Sequence, residues 1–176
     1  MSPGLFLIGL VAASPCFGAL SYERFAHPKG DYVLDFPSDW KRSVGMETLH
    51  LRPSGIAGKL VEVSVEKHPL GREAATPAEF IAALLKDAKG LRRLDARDSI
   101  QVSGRDAERL TLTETRVLKG AYNTTLPGPM TETVVVVPFG KSFYVLRLRG
   151  VGHDLVAARP EFERLVSGFK LGNAVR

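Results

Sequence analysis

The sequence predicts an α+β domain in which an antiparallel sheet is sandwiched between helices. Three features carry this expectation: the alternating runs YVLDF at 32–36 and KLVEVSVEK at 59–67, a capped amphipathic segment opening at Thr76, and four consecutive valines at 134–137. Alternation marks strands with one buried face, whereas a run that is apolar at every position suits a strand only where the sheet is covered on both sides. Helices or long segments are expected to supply that cover.

In chain order, the first signal is the apolar run LFLIGLVAA at 5–13. It fits the hydrophobic region of an export signal and is shorter than the about 20 residues of a membrane span. Small residues at Cys16 and Gly18 place cleavage after Gly18, so 1–18 reads as a signal peptide and 19–176 as a single α+β domain. No Lys or Arg precedes the run, so an uncleaved short anchor stays open as the alternative. Cys16 is the only cysteine, and Pro15 directly before it disfavours lipid attachment. Cleavage after Gly18 leaves no thiol for disulfides, metal sites or nucleophilic catalysis. The expected location is periplasmic or secreted.

Tyr32, Leu34 and Phe36 share one strand face, as do Val61, Val63 and Val65. Thr76-Pro77-Ala78-Glu79 opens a helix: Thr caps, Pro fits the first turn, and Glu can return the capping bond. Phe80, Ile81, Leu84, Leu85 and Ala88 follow at helical spacing and Gly90 ends it, which predicts a helix over 77–89. Segments 91–101 and 105–117 read as a hairpin turning at Ser103-Gly104, with a bulge because Leu110 and Leu112 fall out of step with Ala107. A second hairpin spans 131–148 and turns at Phe139-Gly140, pairing Val136 with Phe143, Val134 with Val145, and Glu132 with Arg147. A second helix from Pro160 carries Phe162, Leu165, Val166 and Phe169 on one face. Phe80, Leu84, Val134, Val136, Phe162 and Phe169 are the predicted core.

Several spacings invite chemistry. Ser38-x-x-Lys41 has the spacing of acyl-transfer enzymes, but there the serine must open a helix, and here it follows a strand and Pro37. Trp40 between them reads as apolar cover over the sheet edge, and Ser167-x-x-Lys170 repeats the spacing, so a turn is the better reading. His27, His50, His68 and His153 lie singly, and Glu47 and His50 point to opposite strand faces, so no metal site is expected. Gly55-Ile-Ala-Gly58-Lys59 is too short for a nucleotide phosphate loop and leads into a strand, hence a hairpin turn. Arg147 and Arg149 share a side and could bind an anion, but Glu132 makes a surface ion pair the simpler expectation. No nucleophile-elbow, paired-carboxylate or dinucleotide motif occurs, so neither catalytic residues nor a cofactor is expected.

The net charge of +5 is spread as isolated charges. Such a surface suits anionic lipid or an acidic protein, and no nucleic-acid motif accompanies it. The segment VLKGAYNTTLPGPM at 117–130 is longer than a turn needs. Lys119, Tyr122, Asn123 and Leu126 combine charge, amide and amphipathic aromatic, the mixture of a partner-binding loop; a plain connector is the alternative.

Phe25, then Tyr32-x-Leu34-x-Phe36-Pro37-x-x-Trp40, the capped helix from Thr76, the Gly104 turn and the terminal Phe162 to Phe169 pattern together resemble the PsbP-like fold, over about 24–171. The resemblance implies an antiparallel sheet between helices. It also implies binding rather than catalysis, since members include photosystem extrinsic subunits, a nuclear-transport factor, envelope proteins and adaptors for secreted effectors. The expectation is an exported, non-enzymatic binding or assembly factor of the cell envelope whose partner is another envelope protein. A small-ligand or metal-binding periplasmic protein is the alternative, and an unrecognised hydrolase a further one.

Overall fold

The structure is a computed structural model that describes residues 21–54, 60–70, 76–86, 92–114 and 129–172. Along the chain run β1 (Tyr22–Ala26), β2 (Tyr32–Pro37), β3 (Lys41–Val44), β4 (Thr48–Arg52), β5 (Val61–Pro69), α1 (Pro77–Leu85), β6 (Arg92–Val102), β7 (Arg105–Glu114), β8 (Met130–Phe139), β9 (Ser142–Val151), α2 (Gly152–Gly168) and β10 (Lys170–Leu171). The strands form two antiparallel sheets, so the expectation of one sheet is corrected. The smaller has the order β1-β2-β10 and the larger β3-β4-β5-β9-β8-β7-β6.

The four valines show why the larger sheet needs cover on both faces. Val135 and Val137 join Val63, Val65, Leu146 and Leu148 in the larger core, with Leu34 and Phe36 of β2 and Phe162 and Val166 of α2. Val134 and Val136 point the other way and pack with Leu110, Phe143, Val145 and Ile81 of α1. The two helices therefore lie against opposite faces. Each fully buried valine contributes about 1.5–3 kcal/mol by leaving water.

α1 begins as its sequence dictates. The Glu79 N–H donates to Thr76 Oγ1 at 3.2 Å and the Thr76 N–H to Glu79 Oε2 at 2.7 Å, a reciprocal capping box. Its other end differs from expectation, because Lys86 leaves the helical region at ψ 69° and ends the helix before residue 89. Ala88 and the Gly90 stop lie outside the described residues. So short a helix buries Ile81 completely, while Phe80 and Leu84, expected in the core, are only half-buried at its rim.

Ser103 and Gly104 adopt φ of 55° and 71°, the pair of positive values that a type I′ hairpin turn requires. The expected bulge exists, but on β6, between the pairs Leu94↔Leu112 and Ala96↔Thr111. β7 itself is regular. Ala107 faces the larger core and Leu110 the smaller one, so the residues look out of step because the covered face changes along the strand.

The β8–β9 register is corrected by two residues. The loop is Gly140-Lys141, with Gly140 at φ 58°, and the observed partners are Val136↔Val145, Val134↔Arg147 and Glu132↔Arg149. A shift of two leaves every side chain on its expected face. α2 starts at Gly152 rather than Pro160 and buries Leu155, Ala158, Phe162, Leu165 and Val166. Pro160 lacks the N–H that would reach the carbonyl of Val156, which at 62% exposure lies on the solvent side, where water can satisfy it.

Candidate functional site: a charge-striped sheet face

On the α1 side of the larger sheet, the apolar patch stops partway along the strands. Beyond it, cross-strand pairing places polar side chains shoulder to shoulder: Ser43↔His50, His50↔Ser64, Ser64↔Arg147, Glu62↔Arg149, Glu132↔Arg149 and Arg92↔Glu114. Directly paired residues share a face, so the charges fall in stripes. Basic β3 and β4 are followed by acidic β5, basic β9, acidic β8 and β7, and basic β6.

The stripes are knitted together by ion pairs. Glu62 Oε1 accepts from His50 Nδ1 at 2.8 Å and from Arg52 Nη2 at 3.0 Å. Arg147 donates from Nη1 to Glu132 Oε1 at 2.6 Å, and its Nε lies 3.6 Å from Glu66 Oε1. Arg92 approaches Glu132 and Glu114 at 3.6 Å each, and Arg149 approaches Glu114 at the same distance. The Glu132 side chain is only 5% exposed, so this is a buried pair and not the expected surface one. A carboxylate that far from water stays charged only with close cations and hydrogen bonds.

Inside this lattice every carboxylate is held by a guanidinium. At its β3–β4 edge the balance fails, because Glu62 alone faces Lys41, His50 and Arg52, and Lys41 makes no ion pair among the described residues.

The residues singled out in the sequence fall as follows. Ser38 sits in the turn after β2 with its hydroxyl on Ser21 Oγ, so it does not open a helix, while Lys41 starts β3. Trp40 is buried in the larger core. Ser167 donates to the Arg164 carbonyl at 2.8 Å near the end of α2. Glu47 was expected on the same strand as His50 but lies in the bend before β4, where it pairs with Lys29, while His50 pairs with Glu62. His27 is buried against Tyr32, and His68 stacks on Phe143 at 4.8 Å. Lys119, Tyr122, Asn123, Leu126 and the 55–59 turn lie outside the described residues, as does the segment 1–18. The residues flanking the proposed loop, Glu114 and Met130, pair directly at the polar end of the striped face. Among the described residues no group of three His, Cys, Asp or Glu could hold a metal, and no helix is long and apolar enough to cross a membrane.

Glu62, Glu66, Glu114, Arg92, Arg42 and Arg52 were not expected at a site. The signal available was the alternation of 61–69, which puts Glu62, Ser64, Glu66 and His68 on one strand face.

No protein-family profile and no curated protein matches the sequence. Solved structures do. The chain is similar to the cyanobacterial PsbP, CyanoP, from Synechocystis sp. PCC 6803 (12% identity, 93% of this chain and 99% of that one, TM-score 0.59). It is also similar to the Ran-binding protein Mog1p of Saccharomyces cerevisiae (10% identity, 89% and 98%, TM-score 0.59) and to a Bacteroides thetaiotaomicron protein (12% identity, 84% and 47%, TM-score 0.54). At these identities the likeness concerns the backbone, and the chain has the PsbP-like fold.

Proposed function

We propose that the protein is an exported, non-enzymatic binding or assembly factor of the cell envelope, and that another envelope protein docks on the charge-striped face. The striped face itself carries this reading. Alternating carboxylates and guanidiniums fix register and reject wrong partners more than they add raw affinity, which is what a docking surface needs. The interior of the lattice suits catalysis poorly, since the carboxylates of Glu66, Glu114 and Glu132 are committed to the guanidiniums of Arg92, Arg147 and Arg149. Mog1p, a Ran-binding protein by name, supports by analogy that this fold can bind proteins.

The test is affinity capture from envelope extract with the native protein and with Arg149→Glu, chosen because the Arg149 side chain is 41% exposed. A partner retained by the native protein, released as salt rises through about 0.1–0.5 M and missing from a folded Arg149→Glu sample is the expected result. Identical captured sets from both proteins would overturn the docking surface.

A further inference from the structure

At the β3–β4 edge of the striped face lies a cleft of about 280 Å³ lined by Lys41, Arg42, Ser43, His50 and Arg52. We propose that it is an anion site that takes a phosphate group. None of its five lining residues is acidic, and all five lie on the paired strands β3 and β4. Lys41↔Arg52 and Ser43↔His50 are direct partners, so four polar side chains stand two by two on one face, three of them donors toward the cleft. Neighbouring strands lie about 4.8 Å apart and same-face residues about 6.8 Å apart along a strand. Lysine and arginine side chains rooted on so small a rectangle can converge on one group.

The surroundings prepare the donors. Arg42 is spent elsewhere: its Nη1 binds Glu23 at 2.6 Å and its guanidinium lies over the Phe25 ring. Glu62, outside the cleft on β5, holds His50 Nδ1 and one end of Arg52. Those bonds orient both side chains and leave the remaining Arg52 N–H groups for a ligand. Lys41, with no ion pair among the described residues, adds a point charge, and the Ser43 hydroxyl adds a neutral donor. An ammonium, a planar fork and a hydroxyl approaching from two strands match a tetrahedral oxyanion, whose oxygens accept from several directions; the fork alone would satisfy a carboxylate. The volume is at the lower end for ligand pockets, so the phosphate belongs to a small ester or to one lipid headgroup.

Amide NMR of the protein titrated with inorganic phosphate and with glycerol phosphate, at constant ionic strength, tests the site. Saturable shifts confined to 41–43 and 50–52 are expected, weakened at least tenfold in Lys41→Gln and Arg52→Gln and unchanged in Lys29→Gln. Cosedimentation with vesicles of phosphatidylcholine, with and without phosphatidic acid, separates the sources. Binding only to the acidic vesicles, lost in Lys41→Gln, assigns the headgroup, whereas soluble-ester binding without cosedimentation assigns a free ester. No saturable shift, or equal affinity in the Lys41 and Arg52 variants, overturns the proposal. The Arg149 capture experiment is read independently, so either inference can fail alone.

Discussion

Arg147 on β9 reaches back diagonally to Glu132 on β8, Nη1 to Oε1 at 2.6 Å, although the strand register seats Val134 opposite it and Arg149 opposite Glu132. The diagonal matters because it lets one buried carboxylate face guanidiniums from two strands, β9 and β6. Glu132→Ala removes the acceptor and leaves Arg147 unbalanced. The expected loss is about 3 kcal/mol, read as a lower urea midpoint. Asp35→Asn, which breaks the exposed Arg24–Asp35 pair, should cost no more than about 0.5 kcal/mol.

The Thr76 capping box starts a helix that supplies one side of the smaller core. Thr76→Ala is expected to lower the melting temperature by about 3 °C and to trim helical circular dichroism. The Thr76 backbone N–H holds the Glu79 carboxyl below its ordinary range, with help from the Thr76 side chain. That contribution is present above the unfolded carboxyl value and is lost as pH falls through the depressed one. The difference between native and Glu79→Gln proteins should therefore shrink in acid.

Burial, then the charges of Asp31 and Glu47, pushes the Tyr144 hydroxyl up to about 12, and burial raises Tyr32 as well. A raised acid stabilises the fold fully below the unfolded value near pH 10 and loses that effect as pH climbs through the folded one. In an ultraviolet titration, the buried Tyr32 and Tyr144 should ionise late and together with unfolding. Tyr144→Phe should soften that alkaline limb. Ionisation of both tyrosines near pH 10 with the fold intact would contradict this assignment.

Gly172 and Gly168 make a matched pair. A Cβ on Gly172 would stand 2.1 Å from the Gly30 carbonyl oxygen, where the Gly172 N–H also donates to the Asp31 carbonyl at 2.7 Å. Gly172→Ala should cost about 2 kcal/mol or more, since backbone must move. Nothing lies within 4 Å of a Cβ on Gly168, at the end of α2, so Gly168→Ala should be neutral or gain about 0.5 kcal/mol. Paired thermal melts decide it.

The features legible in the sequence were those written in neighbouring residues: the Thr76–Glu79 box, the Ser103-Gly104 turn, and valines apolar on both faces. The β8–β9 register was not, because a slip of two preserves each residue's face and only the turn geometry at Gly140 distinguishes the alternatives. The smaller sheet escaped notice because β10 has two residues, too few to alternate. The striped face was invisible for a different reason. Glu66, Arg147 and Glu132 each look like ordinary outward residues until the order β5-β9-β8 makes them neighbours. Lys41 drew attention through Ser38, whereas its relevant neighbours are Arg52 and His50, brought close by the β3–β4 hairpin. The loop residues Lys119, Tyr122, Asn123 and Leu126 remain a sequence-level expectation.

β10 pairs with β2 through Lys170↔Val33 and Leu171↔Tyr32, and the Leu171 N–H donates to Ser103 Oγ at 3.1 Å, 68 residues away in the chain. Of the described elements, β10 is synthesised last. A chain that emerges N-terminus first therefore carries β2 with one unpaired edge until everything else has appeared. Such an edge is a template for wrong pairing, and the interval lengthens with every residue between the two strands. The order of synthesis thus leaves the β2 edge at Tyr32 and Val33 open until the two residues of β10 arrive to close it.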